Sequence, residues 1–317
     1  MTSIGVVGLN YWGPNLVRNF DELAELAWIC DLDPKHLQAT AARYPNAKAT
    51  ESYDDLLSDE ALDAVVIATP VPTHFELAKQ ALEAGKHVFV EKPPAMHAGE
   101  MDELVQIADD RDLVLMPGHL LLYHPGVLKL KELIDAGELG DVLCVYGNRV
   151  NLGIVRKNEN ALWSLGVHDL SVILYLVDED PEVATAQGSA SITQGVEDVV
   201  FCFLRFPSGK IAHMHLSWLD PHKMRKMTVV GREKMVVFDD MEPERKVTVY
   251  EKSAGSSGQL HSGDISIPKI SNAEPLRLEC TYFLELIAGQ HDRIKVARDG
   301  ARVVRALEML TESLGGD

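Results

Sequence analysis

Four cysteines in 317 residues, Cys30, Cys144, Cys202 and Cys280, are too few and too scattered for a metal site or a disulfide framework. Three of them sit in apolar runs, where free thiols behave as small hydrophobes. No metal is expected. Long apolar runs are missing too. None reaches the length of a membrane span, and Met1-Thr2-Ser3-Ile4 leads into a β-rich run with no basic and apolar leader before it. The chain therefore reads as cytoplasmic, with no membrane partner. Positive charge is also short. A formal net charge of −18 argues against a nucleic-acid partner, which needs a basic face to neutralise phosphates. An anionic small molecule is a different matter, because Arg149, Arg156, Lys157, Lys223, Arg225 and Lys226 lie close enough along the chain to gather charge locally, although each one alone reads equally well as a solvated surface residue.

Internal repeats and low-complexity tails are absent, and the length favours two domains over one. The first part alternates β-rich runs with helical patterns: Ser3 to Gly8 and Trp12 to Glu25, Ala27 to Cys30 and Pro34 to Tyr44, Ala64 to Ala68 and Thr73 to Ala84, then His87 to Val90, Gly99 to Arg111 and Leu113 to Met116. Such alternation predicts a parallel sheet covered by helices on both faces. The boundary falls near Pro117-Gly118-His119. Helices at Pro125 to Ala136 and Ala161 to Val177 follow, and then come Val183 to Ser189, Val196 to Phe206, Lys210 to Leu219, Met224 to Gly231, Lys234 to Phe238 and Lys246 to Tyr250. Tight links such as Pro207-Ser208-Gly209 make that second sheet largely antiparallel. Ser253 to Ser271, rich in Gly and Ser, reads as a loop, and two helices, Glu274 to Ala288 and Ala297 to Leu314, end the chain. The expected fold is α/β: a Rossmann-type parallel-sheet domain over 1–118, then an α+β domain with a large, mostly antiparallel sheet over 119–317, its last helix able to pack back on the first domain.

Gly8-Leu9-Asn10-Tyr11-Trp12-Gly13 follows a strand and opens a helix, so backbone N–H groups and a helix N-terminus would face a pyrophosphate. Asn10 replaces the middle glycine, which weakens the motif taken alone. Asp31 restores it. It ends the second strand about twenty residues later, where a carboxylate binds a ribose diol and repels a 2′-phosphate, favouring NAD. A helix cap is the competing role for such a residue, and it suits Asp33 equally. At the end of the next strand, Thr69 and Pro70 line the expected cofactor cleft, with His74 a further candidate. Tyr11 and Trp12 join the cofactor set through the turn, and Glu91, Lys92 and Pro93 through the end of a later strand.

Glu91-Lys92-Pro93-Pro94 after a Rossmann-type half resembles the Glu-Lys-Pro signature of the Gfo/Idh/MocA oxidoreductase family. That resemblance runs through the Gly8 turn, Asp31, Ala68-Thr69-Pro70 and the α+β half, and implies that Lys92 contacts both the nicotinamide ribose and the substrate oxygen. Asn148 to Gly153, Glu159 to Ser164, His168 to Ser171 and Ser217 to Lys223 are similar to a branch of sugar-nucleotide dehydrogenases that includes UDP-2-acetamido-2-deoxyglucuronate 3-dehydrogenase. In many relatives the His is followed by Asp three positions later and by another His. Here Ser171 and Tyr175 stand instead, leaving His168 as the preferred acid-base residue, since its ordinary pKa suits proton exchange near neutrality.

The resemblance implies oxidation of a sugar hydroxyl, C3 of a UDP-sugar such as UDP-N-acetylglucosaminuronate, with NAD as acceptor. Asn148, Arg149, Asn151, Arg156, Trp163, Asp169 and Tyr175 form the expected substrate set. Alternatives are a keto-deoxysugar nucleotide reductase, an inositol or polyol dehydrogenase and, from another class, a non-catalytic NAD-binding regulator. Alternating apolar residues in Ile211 to Leu219 and Met227 to Val237 suggest that both faces of the second sheet are covered, hence a homodimer or homotetramer.

Overall fold

The computed structural model describes residues 1–153, 155–156, 159–254 and 259–315. The chain divides into two compact units, Met1–Leu120 with Glu274–Val304, and Leu121–Ala273 with Arg305–Asp317.

In the first unit the elements run β1 (Ser3–Val7), α1 (Gly13–Leu23), β2 (Glu25–Cys30), α2 (Pro34–Arg43), β3 (Lys48–Thr50), α3 (Tyr53–Ser58), β4 (Ala64–Ile67), α4 (His74–Glu83), β5 (His87–Glu91), α5 (Ala98–Asp110) and β6 (Leu115–Gly118). The sheet order is β3-β2-β1-β4-β5-β6, parallel throughout. β1 and β4 are neighbours although two βα units separate them in sequence. The chain therefore reverses direction across the sheet between them, and ligands of open parallel sheets bind at that reversal. Every residue of β1 and β4 is buried, as a sheet covered on both faces requires. The short β3 and α3 carry too few apolar residues to stand out as a pattern, and the sequence reading missed them.

In the second unit come α6 (Pro125–Asp135), β7 (Val142–Leu152), α7 (Val167–Val177), β8 (Val183–Ser189), β9 (Val199–Arg205), β10 (Ile211–Ser217), β11 (Leu219–Gly231), β12 (Met235–Asp239), β13 (Val247–Ala254) and β14 (Leu260–Ser266). They form one sheet in the order β14-β13-β12-β11-β7-β10-β9-β8, antiparallel except where β10 lies parallel to β7. Parallel neighbours need a crossover, and α7 lies within the connection between these two. A π-helical turn, Leu162–Gly166, leads into α7, so the expected single helix from Ala161 starts with a wider turn.

The expected loop over Ser253 to Ser271 is corrected: β13 extends to Ala254 and pairs with β14, while residues 255–258 lie outside the described ones. β14 is a polar edge strand, and its weak apolar alternation hides it.

A second correction concerns 119–317 as one domain. α8 (Pro275–Ile287) and the part of α9 (Arg293–Leu314) up to Val304 belong to the first unit. The cause is aromatic packing. Phe283 of α8 meets Phe89 of β5 at 5.7 Å and Phe20 of α1 at 6.1 Å, all edge-to-face, and Ala297, Ala301 and Val304 join the same unit's core. Each such ring pair adds about 0.5–1.5 kcal/mol beyond the area it buries. Cys30, Cys202 and Cys280 are buried and free, while Cys144 is half-buried.

Candidate active site

The turn after β1 is shaped by two close approaches. Gly8 has φ +89°, and a Cβ on it would lie 2.6 Å from the Ala68 carbonyl oxygen; on Gly13 a Cβ would lie 1.8 Å from the Gly8 oxygen. Both positions therefore need glycine, which lets the turn between them lie close against the ends of β1 and β4. Asn10, absent from the positive-φ residues and exposed, stands outside this constraint, so a side chain there costs nothing in backbone strain. Tyr11 is exposed and Trp12 half-buried. α1 opens with Gly13-Pro14 and no side-chain cap, so Pro14 removes one donor from the helix terminus while Gly13 keeps its own.

Asp31 ties this turn to β2. One carboxylate oxygen accepts from the Leu9 N–H at 2.6 Å and the other from the Asp33 N–H at 2.8 Å. Asp33 instead caps α2, accepting from Lys35 N–H. Asp33 thus takes the capping role that was open between the two. A carboxylate has acceptor capacity beyond two bonds, so Asp31 can still receive ribose hydroxyls. These residues fit a dinucleotide, with Gly8 to Gly13 under the pyrophosphate and Asp31 at the ribose.

Thr69, half-buried, shares a hydrogen bond with the Thr73 hydroxyl, and Pro70 is exposed at the end of β4. His74 is corrected as a cofactor ligand. It is buried, with Nδ1 2.8 Å from the Pro93 oxygen and Nε2 2.8 Å from the Thr69 oxygen, so it fastens two loops and presents no nitrogen to a ligand.

Around the end of β5 lies a cluster of titratable groups that the sequence reading saw only in part. Glu91 accepts from its neighbour's backbone, Lys92 N–H, at 3.3 Å and from the Trp12 side chain. Gly118 of β6 lies flat against it, for a Cβ there would come within 3.3 Å of the Glu91 carboxyl carbon. Dense surroundings push the Glu91 carboxyl up to about 7, opposed by the Lys92 charge. Two further groups, His119 and Glu279, were missed. His119 is 4% exposed, with neither ring nitrogen bonded among the described residues, and burial together with the Lys92 charge pushes it down to about 4. Glu279 of α8 is wholly buried. Nothing in single-sequence periodicity marks either one. A lone Glu among the apolar positions of a terminal helix is the sole signal that was there to find.

In the second unit, Arg149 and Asp169 are each corrected as free substrate contacts. Both are buried, and the Arg149 Nε and Nη2 donate to the same Asp169 oxygen at 2.9 and 2.7 Å. The pair fills the space over Gly147, whose Cβ would fall 3.0 Å from the other Asp169 oxygen. A small pocket adjoins the pair, lined also by Val127, Val172, Arg225, Met227 and Phe238. Asn148 alternates to the opposite face of β7, in register with Lys226 and His215, so it cannot act beside Arg149.

Trp163 is corrected to a core residue: it is 6% exposed, and its indole N–H donates to Thr311 at 3.0 Å. Tyr175 lies under Lys131 of α6, with the ammonium 5.7 Å from its ring centre. His168, in the first turn of α7, is half-buried, as is Asn151. Arg156 pairs with Glu159, Arg225 with Asp240 and Lys226 with Asp239, so most of the cationic cluster expected to gather an anion is already matched; Lys157 lies outside the described residues. Among the described residues no three His, Cys, Asp or Glu side chains converge as metal ligands would, and no helix is long and apolar enough to cross a membrane.

A glycine turn after the first strand, a carboxylate at the end of the second and a strand-end lysine on a doubly wound parallel sheet are features of a dinucleotide-binding oxidoreductase. Comparison with known proteins agrees. Residues 2–119 match the NAD-binding Rossmann fold of the Gfo/Idh/MocA oxidoreductase family, residues 127–237 match that family's C-terminal domain, and the chain belongs to this family. It is 26% identical to UDP-N-acetylglucosamine 3-dehydrogenase of Acidithiobacillus ferrooxidans over 95% of this chain and 94% of that one. A solved structure of that enzyme superposes with a TM-score of 0.88 at 25% identity, covering 98% of this chain and 97% of the other. Inositol 2-dehydrogenase of Salmonella paratyphi B is 30% identical over 56% of this chain and 54% of its own length.

His119 gives a pH signature. Its folded pKa lies below its ordinary 6.5, so its contribution to stability is complete above that value and is lost as pH falls toward about 4. A difference of that size amounts to about 3 kcal/mol. Urea unfolding of His119→Phe at pH 7 and near pH 4 should show that much less acid-dependent loss than the parent chain. Equal losses in the two proteins would mean that His119 is not held neutral.

Proposed function

We propose that the chain is an NAD-dependent dehydrogenase that oxidises a hydroxyl of a sugar or nucleotide sugar to a ketone, a C3 hydroxyl of a UDP-sugar being the form suggested by its nearly full-length relative, a UDP-N-acetylglucosamine 3-dehydrogenase. The observation that carries this reading is the Glu91-Lys92 step at the end of β5, in the same unit as the Gly8–Gly13 turn and Asp31. Nearly full-length similarity to a UDP-N-acetylglucosamine 3-dehydrogenase supports the substrate class.

In this reading His168 takes the hydroxyl proton, and Lys92 holds the oxygen and offsets its growing negative charge. The bound nicotinamide supplies the acceptor for the carbon-bound hydrogen. Asp31 holds the adenosine ribose and repels a 2′-phosphate, which makes NAD the cofactor rather than NADP. Asn151 is the polar candidate on β7 not already used by a buried partner. Similarity to an inositol 2-dehydrogenase keeps a polyol substrate as the second reading. A panel of UDP-sugars and inositols, read as reduced-nicotinamide absorbance, separates the two.

The second unit's sheet has one face under α6 and α7. The other exposes Phe201 (56%) and Phe203 (40%), beside Tyr146 stacked on His213 and Phe201 on His215. This patch supports a homodimer or homotetramer with the sheet face covered by a second copy.

Three outcomes are expected. Lys92→Met and His168→Ala should each retain NADH binding but lower turnover, by about a hundredfold to ten-thousandfold for loss of the base. Raised pH should partly rescue His168→Ala. Normal turnover of that variant at neutral pH would remove His168 from the mechanism. Fluorescence titration should show tighter binding of NADH than of NADPH, with Asp31→Ser plus Leu32→Arg reversing the order; a parent chain that prefers NADPH contradicts the role given to Asp31. Sedimentation at micromolar concentration should show an oligomer that Phe201→Glu weakens, and a monomeric parent would rule it out.

A further inference from the structure

The Asp31 carboxylate has a titratable neighbour that the dehydrogenase reading leaves unused. His36, in the first turn of α2, has Nδ1 close to two carboxylates at once: 3.9 Å from the Asp31 oxygen that accepts from Leu9, and 3.8 Å from the Asp33 oxygen that the helix cap leaves over. The His36 side chain is 34% exposed and that of Asp31 12%, so the ring stands on the solvent side of the more buried aspartate. Neither carboxylate is loose. Asp31 is held by the Leu9 and Asp33 N–H groups, and Asp33 by the Lys35 N–H. At these separations the ring acts on the aspartates through its charge rather than through a fixed hydrogen bond.

Other titratable groups stand on the surrounding elements. They are Tyr11 in the turn after β1, the buried Cys30 before Asp31, Lys35 on α2 itself, and Glu51 and Asp55 beyond β3, whose end the Asp31 N–H reaches through the Thr50 oxygen at 3.4 Å. All but Cys30 are exposed. The first turn of a helix disfavours a cation, and here two carboxylates answer it.

We propose that His36 is a specificity-determining residue of the nucleotide site: its protonation offsets the Asp31 and Asp33 charges and so weakens, in acid, the discrimination against a nucleotide that carries a 2′-phosphate. The role of Asp31 at the ribose rests on the proposed function, and that of His36 rests on it in turn. With the imidazole neutral, the two aspartates repel a phosphate unopposed. Once protonated, the ring cancels part of that repulsion and has both nitrogens as donors. A 2′-hydroxyl carries no charge to respond, so affinity for NAD changes much less. By linkage, the phosphate favours the proton on His36 as much as the proton favours the phosphate.

Calorimetric titration of the full chain with NAD and with NADP, at about pH 5.5 and about pH 8, brackets the range in which histidine changes charge. A phosphate monoester also takes up a proton in that range. The parent chain is therefore read against His36→Gln, which keeps the phosphate's own titration and removes the imidazole. From the higher pH to the lower, the parent's ratio of NADP to NAD dissociation constants should fall by about two- to fivefold more than the variant's, as a partly exposed charge pair allows. His36→Arg, charged throughout, should show a ratio below the parent's already at the higher pH. Equal falls in the parent and His36→Gln overturn the proposal, and so does a His36→Arg ratio that matches the parent's at the higher pH. Either variant decides if the other fails to fold. A parent chain that prefers NADP at the higher pH, or binds neither nucleotide, overturns the role of Asp31 and His36 together, whereas a clear NAD preference with equal falls overturns His36 alone.

Discussion

The first unit depends on how closely the backbone after β1 can approach its neighbours. Gly13 lies against the Gly8 carbonyl, Gly8 against the end of β4, and the Asp31 carboxylate clips the Leu9 N–H to the end of β2. These contacts bring the ends of three strands together around the Gly8 to Gly13 turn. A side chain at either glycine would push the strand ends apart and fill the place that a phosphate would take. The same clip, with the bond from the Asp33 N–H, gives the Asp31 carboxylate a fixed orientation.

The second unit is organised by a different device. It buries an ion pair, Arg149 with Asp169, between β7 and α7 over a glycine. Removing one partner of such a pair typically costs about 3–5 kcal/mol, since the other charge is left in a poorly solvating interior. The pair sets the seat of α7, and therefore of His168 in its first turn. An arginine and an aspartate that looked like two substrate contacts are one structural joint.

Much of the architecture was legible because strands and helices repeat with different periods. The alternation from Ser3 to Met116, the glycine turn, Asp31 and the Glu91-Lys92-Pro93 step all depend on residues near one another in the chain, and, apart from the short β3 and α3, each element emerged within a few residues of its expected limits. What could not be read depends on partners far away in sequence. His74 looked like a ligand until two backbone carbonyls, Thr69 and Pro93, took its nitrogens. Trp163 looked like a pocket wall until Thr311, 148 positions away, claimed its indole.

The sequence by itself determined the class of the first sheet, the glycine turn after its first strand, the aspartate at the end of its second and the family resemblance, because local sterics and hydrophobic periodicity act over a few residues. Tertiary structure alone decided that α8 returns to the first unit, that β10 inserts parallel to β7, and that Asn148 and Arg149 look to opposite faces of one strand. It also decided that Glu279 ends up wholly buried. A helix of this composition could have turned that glutamate to water, and it is the Phe20, Phe89 and Phe283 cluster that rotates α8 so the carboxyl points inward. Burial and partner identity are properties of the packed chain, and a carboxyl's protonation follows from them rather than from its neighbours in sequence.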